Sequence, residues 1–283
     1  LKGDLTVEIK VLGPLEISEH GNSIVPSAGK PRQILALLAL RGERMVKSPT
    51  LMEELWGDRI PRSATTTLQT YILQLRNKIA AAQHGEHRRS PKDLLATSFG
   101  GYLLKVGPER SDFQEFKAQA AAGATALETG DHHTAATILD QALHLWRGPA
   151  LADVPAGRVL ERDALGMEET RMRALEQRID ADLQLGRHAA LLAELRVLVA
   201  EHPMHESFCA QFMLALYRVG NIWRALEEFR GLRTTLVEEL GIEPSARLRR
   251  LHQAILVEDP SLDLDREYRP TDTLLVPHRH FGV

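Results

Sequence analysis

Cysteine is almost absent. Cys209 is the only one in 283 residues, which excludes an internal disulfide framework and any multi-cysteine zinc site and suits a reducing cytoplasm. Long hydrophobic runs are also missing. The longest, around Ile34–Leu40, is the length of a core helix and falls far short of the roughly 18 apolar residues of a membrane span. The first residues are mixed and charged, unlike a signal peptide. No Gly-x-Ser-x-Gly, His-Glu-x-x-His or Gly-x-Gly-x-x-Gly pattern occurs. Gly29-Lys30 runs into Pro31 with Ile24 at the start of the window, so it is no phosphate loop. The close histidine pairs (His132/His133, His202/His205, His278/His280) lack acid or cysteine partners at ligand spacing. These absences argue against an enzyme and imply no metal and no cofactor. Acid is missing locally as well: no carboxylate lies between Ser63 and Ala82.

Apolar residues are plentiful, at 43% of the chain, ample for real cores, and 283 residues suit two domains or three small ones. Charge divides them. Residues 1–106 hold 15 Lys and Arg against 10 Asp and Glu, whereas residues 107–283 hold 20 against 28. A basic first third joined to an acidic remainder fits a nucleic-acid domain coupled to a domain with another task.

The acid-free stretch reads as an amphipathic helix. Leu68, Ile72, Leu75 and Ile79 recur at i, i+4, i+7 and i+11, one apolar stripe. The other side carries Thr66, Thr67, Thr70, Gln74, Arg76 and Lys78, donors and cations suited to a polyanion. Ahead of it, alternation over residues 5–26 predicts a small antiparallel sheet with a turn at His20–Ser23. A buried helix over 33–40 ends at Gly42. A helix capped by Ser48 with Pro49 at its first position ends at Gly57. Ser63 is placed to cap the third helix. The polar segment His84–Asp93 reads as a loop. Leu94–Thr97 and Tyr102–Val106 form the arms of a hairpin with a Gly-Gly turn. Sheet, three helices and hairpin make a winged helix-turn-helix, complete near Val106.

From Ser111 the pattern is helical. A first helix runs from Ser111 or Asp112 to about Thr129, and a last one follows Pro244-Ser245 to about Val257. Leu127–Ala136, Leu183–Leu192 and Leu216–Leu226 share a Leu, a following Gly, a polar step and an Ala-rich helix. Gly186 and Gly220 lie 34 residues apart, the period of tetratricopeptide repeats, and an insertion through Trp146-Arg147-Gly148-Pro149 to Gly157 separates the first unit. Such repeats serve as protein-interaction scaffolds. Trp146, Trp223 and Tyr217 read as core rather than as a ligand box, and Cys209 as an inert core thiol. The expected architecture is mainly α: an α+β winged helix over 1–106, all-α tetratricopeptide-like repeats over 107–257, and an irregular tail over 258–283.

Certain residues carry a family resemblance. Leu55-Trp56-Gly57, the Leu75-Arg76-Asn77-Lys78-Ile79 end of the third helix and the wing Thr97 to Gly101-Tyr102 resemble the output domain of OmpR-type regulators. Asp112-Phe113-Gln114-Glu115-Phe116, Leu145-Trp146-Arg147-Gly148, the stretch from Arg187-His188 to Pro203 and Glu238–Ser245 resemble the bacterial transcriptional activator domain. Together, over about residues 5–257, they resemble the small, stand-alone Streptomyces antibiotic regulatory proteins. The resemblance implies a cytoplasmic, nucleoid-associated activator of an antibiotic or other secondary-metabolite gene cluster. It implies binding to direct repeats in promoter DNA near the −35 element, a homodimer on DNA and contact with RNA polymerase through sigma region 4 and the alpha subunit. By the same resemblance Thr70 and Gln74 lie at base-reading positions, and Thr66, Tyr71, Leu73 and Trp56 at backbone positions, although Leu73 cannot donate to phosphate. Arg76 is a further backbone or groove-edge candidate; Thr97 and Tyr102 would bind phosphate from the wing, and Lys30, Arg32 and Arg62 could add phosphate contacts. Where the family wing offers Arg, this chain has Ser98-Phe99-Gly100. Competing expectations stand beside these: Trp56 as core, Tyr71 packed beneath its helix, Thr65–Thr67 as capping groups, Arg76 paired with Glu53, Glu54 or Asp58. Two other functions use the same parts: a repressor with the same DNA contacts, and a scaffold whose winged helix binds protein.

Overall fold

The computed structural model describes residues 7–83, 90–106 and 111–264. The strand start at Leu5, much of the polar segment from His84 and the tail beyond residue 264 lie outside these. One compact unit gathers the described residues up to Ala124 with Ile138–Leu175; the other gathers Thr125–Thr137 with those from Glu176 onward.

The first unit opens with β1 (Val7–Lys10), β2 (Glu16–Glu19) and β3 (Asn22–Ser23), an antiparallel sheet in that order. Val7 and Ile9 are buried while Glu8 and Lys10 face out, as the alternation requires. The turn is tighter than the expected four residues. His20 and Gly21 both have positive φ, 51° and 81°, the two-residue type I′ connection whose twist matches the strands, so Asn22 and Ser23 already belong to the sheet. Helix α1 (Gly29–Arg41) buries Ile34 through Leu38 completely, because α2 (Ser48–Trp56), α3 (Ala64–Ala82) and a second sheet enclose it.

That second sheet has the order β4 (Val46–Lys47), β6 (Gly101–Leu104), β5 (Leu95–Ser98). Two of its features escape the sequence reading. The β4 strand pairs with β6, and the Ser48 amide donates to the Gly100 carbonyl at 2.9 Å. The strand therefore runs up to the helix, and Ser48 is the first residue of α2, with Lys47 at the cap position and no side-chain cap. The end of the expected polar loop is a single helical turn, α4 (Pro91–Leu94), capped by the Ser90 hydroxyl, which accepts from the Lys92 amide at 3.3 Å.

Helix α5 (Asp112–Glu128) as far as Ala124, and the residues around Trp146, join the same unit. Phe116 is fully buried, edge-on to Trp146 with centroids 5.4 Å apart. Asp112 accepts from the amides of Val11 (2.9 Å) and Leu12 (3.1 Å), and Arg147 lies 3.6 Å from it. The two activator-domain signatures thus meet on the end of β1. Helix α7 (Arg158–Gln184) is anchored by Glu54 of α2, whose carboxylate accepts from the amides of Gly157 (2.6 Å), Val159 (3.0 Å) and Leu160 (3.0 Å). A carboxylate on the first amides of a helix also meets the positive end of its dipole.

In the second unit α8 (His188–Glu201), α9 (Glu206–Arg218), α10 (Ile222–Leu240) and α11 (Ala246–Leu256) pack successively against one another. The repeat glycines each close a helix. At Gly186 and Gly220 φ is 76° and 79°, and the following amides (Arg187 to the Asp182 carbonyl, Asn221 to the Leu216 carbonyl) make the same six-residue closure. The Asp131 amide does likewise to the Ala126 carbonyl ahead of α6 (His132–His144). The core expectation holds for one of its three aromatic residues, and Tyr217 is only half-buried. Trp146 is buried, but Trp223 is 69% exposed: it follows Ile222 in the first turn of α10, where the buried stripe runs through Ala225, Phe229, Leu232 and Leu236. Among the described residues no helix is long and apolar enough to cross a membrane.

Candidate nucleic-acid interface

Leu68, Ile72, Leu75 and Ile79 of α3 are all at most 2% exposed, which fixes the helix's rotation. The same i, i+4, i+7, i+11 pattern started two residues earlier gives Thr66, Thr70, Leu73 and Asn77. Two residues turn a helix by about 200°, so this set forms the opposite, outward crest, and all four are exposed. Gln74 and Lys78 flank it, also exposed, while Thr67 and Tyr71 are half-buried towards its side. Asn77 lies on the same exposed crest as the expected site residues, although its polarity alone did not single it out; its spacing from Thr66 and Thr70 is the signal that finds it.

The hydroxyls of Thr67 and Thr70 are already used as donors at the start of α3. Ser63 occupies the cap position, but its hydroxyl does not cap. Instead its carbonyl accepts from both the amide (2.9 Å) and the hydroxyl (3.0 Å) of Thr67. The Thr70 hydroxyl likewise donates to the Thr66 carbonyl at 3.0 Å. Both threonines have therefore spent their one hydroxyl proton within α3 and its cap.

Arg76 binds none of the acids considered for it. Its Nη2 donates to the Leu95 carbonyl (2.9 Å) and to Thr97 Oγ1 (2.8 Å), and its Nε to the same carbonyl (3.1 Å). Glu54 is committed to α7 and Asp58 to Arg158. Arg76 thus fastens β5 to α3 and sets the position of the wing. Beyond Thr97 the wing ends at Phe99, fully exposed, and Gly100, whose φ of 81° makes the turn. Gly101 has no room for a side chain: a Cβ would stand 2.2 Å from the Val46 carbonyl oxygen. Tyr102, next to it, is only 9% exposed and paired between Val46 and Thr97.

The remaining expected contacts scatter. Lys30 lies over the ring of Trp56, 4.9 Å from its centroid, a cation–π pair that leaves Trp56 half-buried rather than core. Arg32 is held by Asp153, with Nη1 2.9 Å from the carboxylate and 3.0 Å from its carbonyl. Arg62 is exposed in the turn before α3. The crest of α3 with its attached wing is therefore the part of the molecule that combines exposure, absence of acid and fixed geometry.

Comparison with known proteins identifies the family. The family model "Transcriptional regulatory protein, C terminal" matches residues 22–103, and "Bacterial transcriptional activator domain" matches residues 111–256. The chain is 51% identical over 257 residues to the regulatory protein DnrI of Streptomyces peucetius, covering 91% of this chain and 94% of that protein. It is 39% identical over 280 residues to the transcriptional regulator RedD of Streptomyces coelicolor, covering 95% and 77%. The solved structure of Mycobacterium tuberculosis EmbR in complex with a low-affinity phosphopeptide superposes with a TM-score of 0.83 at 31% identity, over 91% of this chain and 66% of that one. With both family models matched in this order, the chain belongs to the Streptomyces antibiotic regulatory protein family of DNA-binding transcriptional activators.

Proposed function

We propose that this chain activates a secondary-metabolite gene cluster by laying the crest of α3 in the major groove of promoter DNA, on direct repeats near the −35 element. The observation that carries the reading is the exposed, acid-free stripe Thr66, Thr70, Leu73, Asn77 beside Gln74, held against a wing by Arg76. Gln74 can bond adenine N6 and N7 in a bidentate way. Thr97, Lys78, Arg62 and the Lys30–Trp56 pair would supply phosphate contacts, which position rather than specify. Thr67 and Tyr71 border the crest as backbone contacts. Tyr102 and Arg32, being buried and ion-paired respectively, would contribute by holding backbone in place.

Labour divides between residues 1–106, which read DNA, and residues 107–257, which meet RNA polymerase through sigma region 4 and the alpha subunit; residues 258–283 follow as a tail. Two protomers bind head to tail, because one small winged helix gains too little specific energy alone, and the protein works in the cytoplasm on the nucleoid. The test is transcription with purified polymerase on a promoter fragment the protein protects. The proposal expects more transcript with wild type and basal transcript with Gln74→Ala. Suppression of basal transcript by wild type would assign a repressor instead. Indifference to Gln74→Ala, with sensitivity to changes in residues 112–257, would assign a scaffold.

A further inference from the structure

Leu73 is the one large apolar side chain of α3 that is exposed among the described residues, at 57%. A lone exposed leucine is ordinary on a protein surface. This one stands in the middle of the outward crest, in register with Thr66, Thr70 and Asn77 and opposite the buried stripe. The residue one turn before it has spent its only side-chain donor: the Thr70 hydroxyl donates to the Thr66 carbonyl, so it has no proton to offer a phosphate, and its methyl remains beside the oxygen's lone pairs. The centre of the crest therefore offers hydrocarbon, a methyl from Thr70 and an isobutyl group from Leu73, with amides from Gln74 and Asn77 beside it. The Leu73 side chain itself can donate nothing to a phosphate. In the major groove the group that matches it is the C5 methyl of thymine, which distinguishes T·A from the other pairs.

We propose that Leu73, supported by the Thr70 methyl, is a specificity-determining residue that reads a thymine methyl in each repeat. The inference rests on α3 being the major-groove helix and adds to that reading what the helix reads at its centre. Burying one methyl against hydrocarbon corresponds to a discrimination of about three- to fourfold.

The experiment uses the full chain and a promoter fragment it protects. Each thymine of the protected repeats is replaced in turn by deoxyuridine, which keeps pairing and removes only the C5 methyl. Wild type should bind about three- to fourfold more weakly when one particular thymine per repeat is replaced. Leu73→Ala should bind the parent fragment more weakly and lose that penalty at the same position; Leu73→Met should keep it. Melting curves superposable with wild type verify the fold, as expected for an exposed position. A penalty that persists in Leu73→Ala, or no sensitive thymine in either repeat, overturns the proposal. So does Leu73→Lys if it tightens binding on every sequence with a steeper salt dependence, since the side chain then faces phosphate. A folded wild-type chain that protects no DNA would instead overturn the underlying assignment of α3.

Discussion

On the proposed reading, Gln74 and Arg76, two residues apart on α3, divide DNA reading from scaffolding. Gln74 is exposed and makes no bond that α3 depends on, whereas Arg76 joins α3 to β5 through three hydrogen bonds. Gln74→Ala should leave the melting temperature unchanged and cost about 1–3 kcal/mol of specific DNA binding. Arg76→Ala should lower stability by about 1–3 kcal/mol and weaken DNA binding on all sequences, because the wing loses its fixed position. Parallel denaturation and binding titrations would check both. Glu54 is a second residue with a divided effect. Burial raises its carboxyl above the ordinary 4.5, although the amides of Leu160, Gly157 and Val159 pull the other way. A raised value means that folding takes up a proton between 4.5 and the folded value, so its contribution to stability falls as pH rises through that window. Denaturant titrations across that range should show wild type losing ground to Glu54→Gln as pH rises. At neutral pH Glu54→Ala should still cost about 2–4 kcal/mol, since three α7 amides lose their acceptor. Cys209 gives a simpler expectation: burial pushes its thiol up to about 12, so a thiol reagent should label it only as the protein unfolds.

At the scale of elements, the repeat closures depend on glycine. Gly220 has open space around its Cα but a φ of 79°, so Gly220→Ala meets backbone strain alone and should cost about 1–2 kcal/mol in a melting experiment. Gly157 is the opposite case: a Cβ would fall 2.1 Å from the Glu54 carbonyl oxygen, and Gly157→Ala must displace α2 from the start of α7. The order of elements was legible in the sequence because periodicity and breakers agreed: the apolar stripe of α3, the stops at Gly42 and Gly57, and the start of α11 at Ser245, whose hydroxyl does accept from Leu248 at 3.3 Å. Strand β4 was not legible, since two residues carry no alternation and their pairing with β6 is long-range. The crest of α3 was legible as a face, but not what each polar group on it does. Thr70 and Arg76 read as outward donors, yet Thr70 donates to a carbonyl four residues back in its own helix and Arg76 to the Leu95 carbonyl and the Thr97 hydroxyl on β5. Local patterns carry no information about which carbonyl is in reach.

At the scale of the whole molecule, the proposed division gives the basic excess of residues 1–106 the long-range attraction to DNA and the α3 crest the register. Each phosphate contact should steepen the fall of affinity with salt by about 0.9 in a double-logarithmic plot. Two protomers on tandem sites should therefore show about twice the slope of one protomer on a half-site. The measurement that bears most directly on α3 as the DNA-reading helix is a footprint of the purified chain on promoter fragments, repeated with salt and with Gln74→Ala. Protection of two same-orientation repeats by wild type, lost in the variant and weakened by salt, is the predicted result. Equal protection by Gln74→Ala, or none by a folded wild-type chain on any promoter, would contradict it.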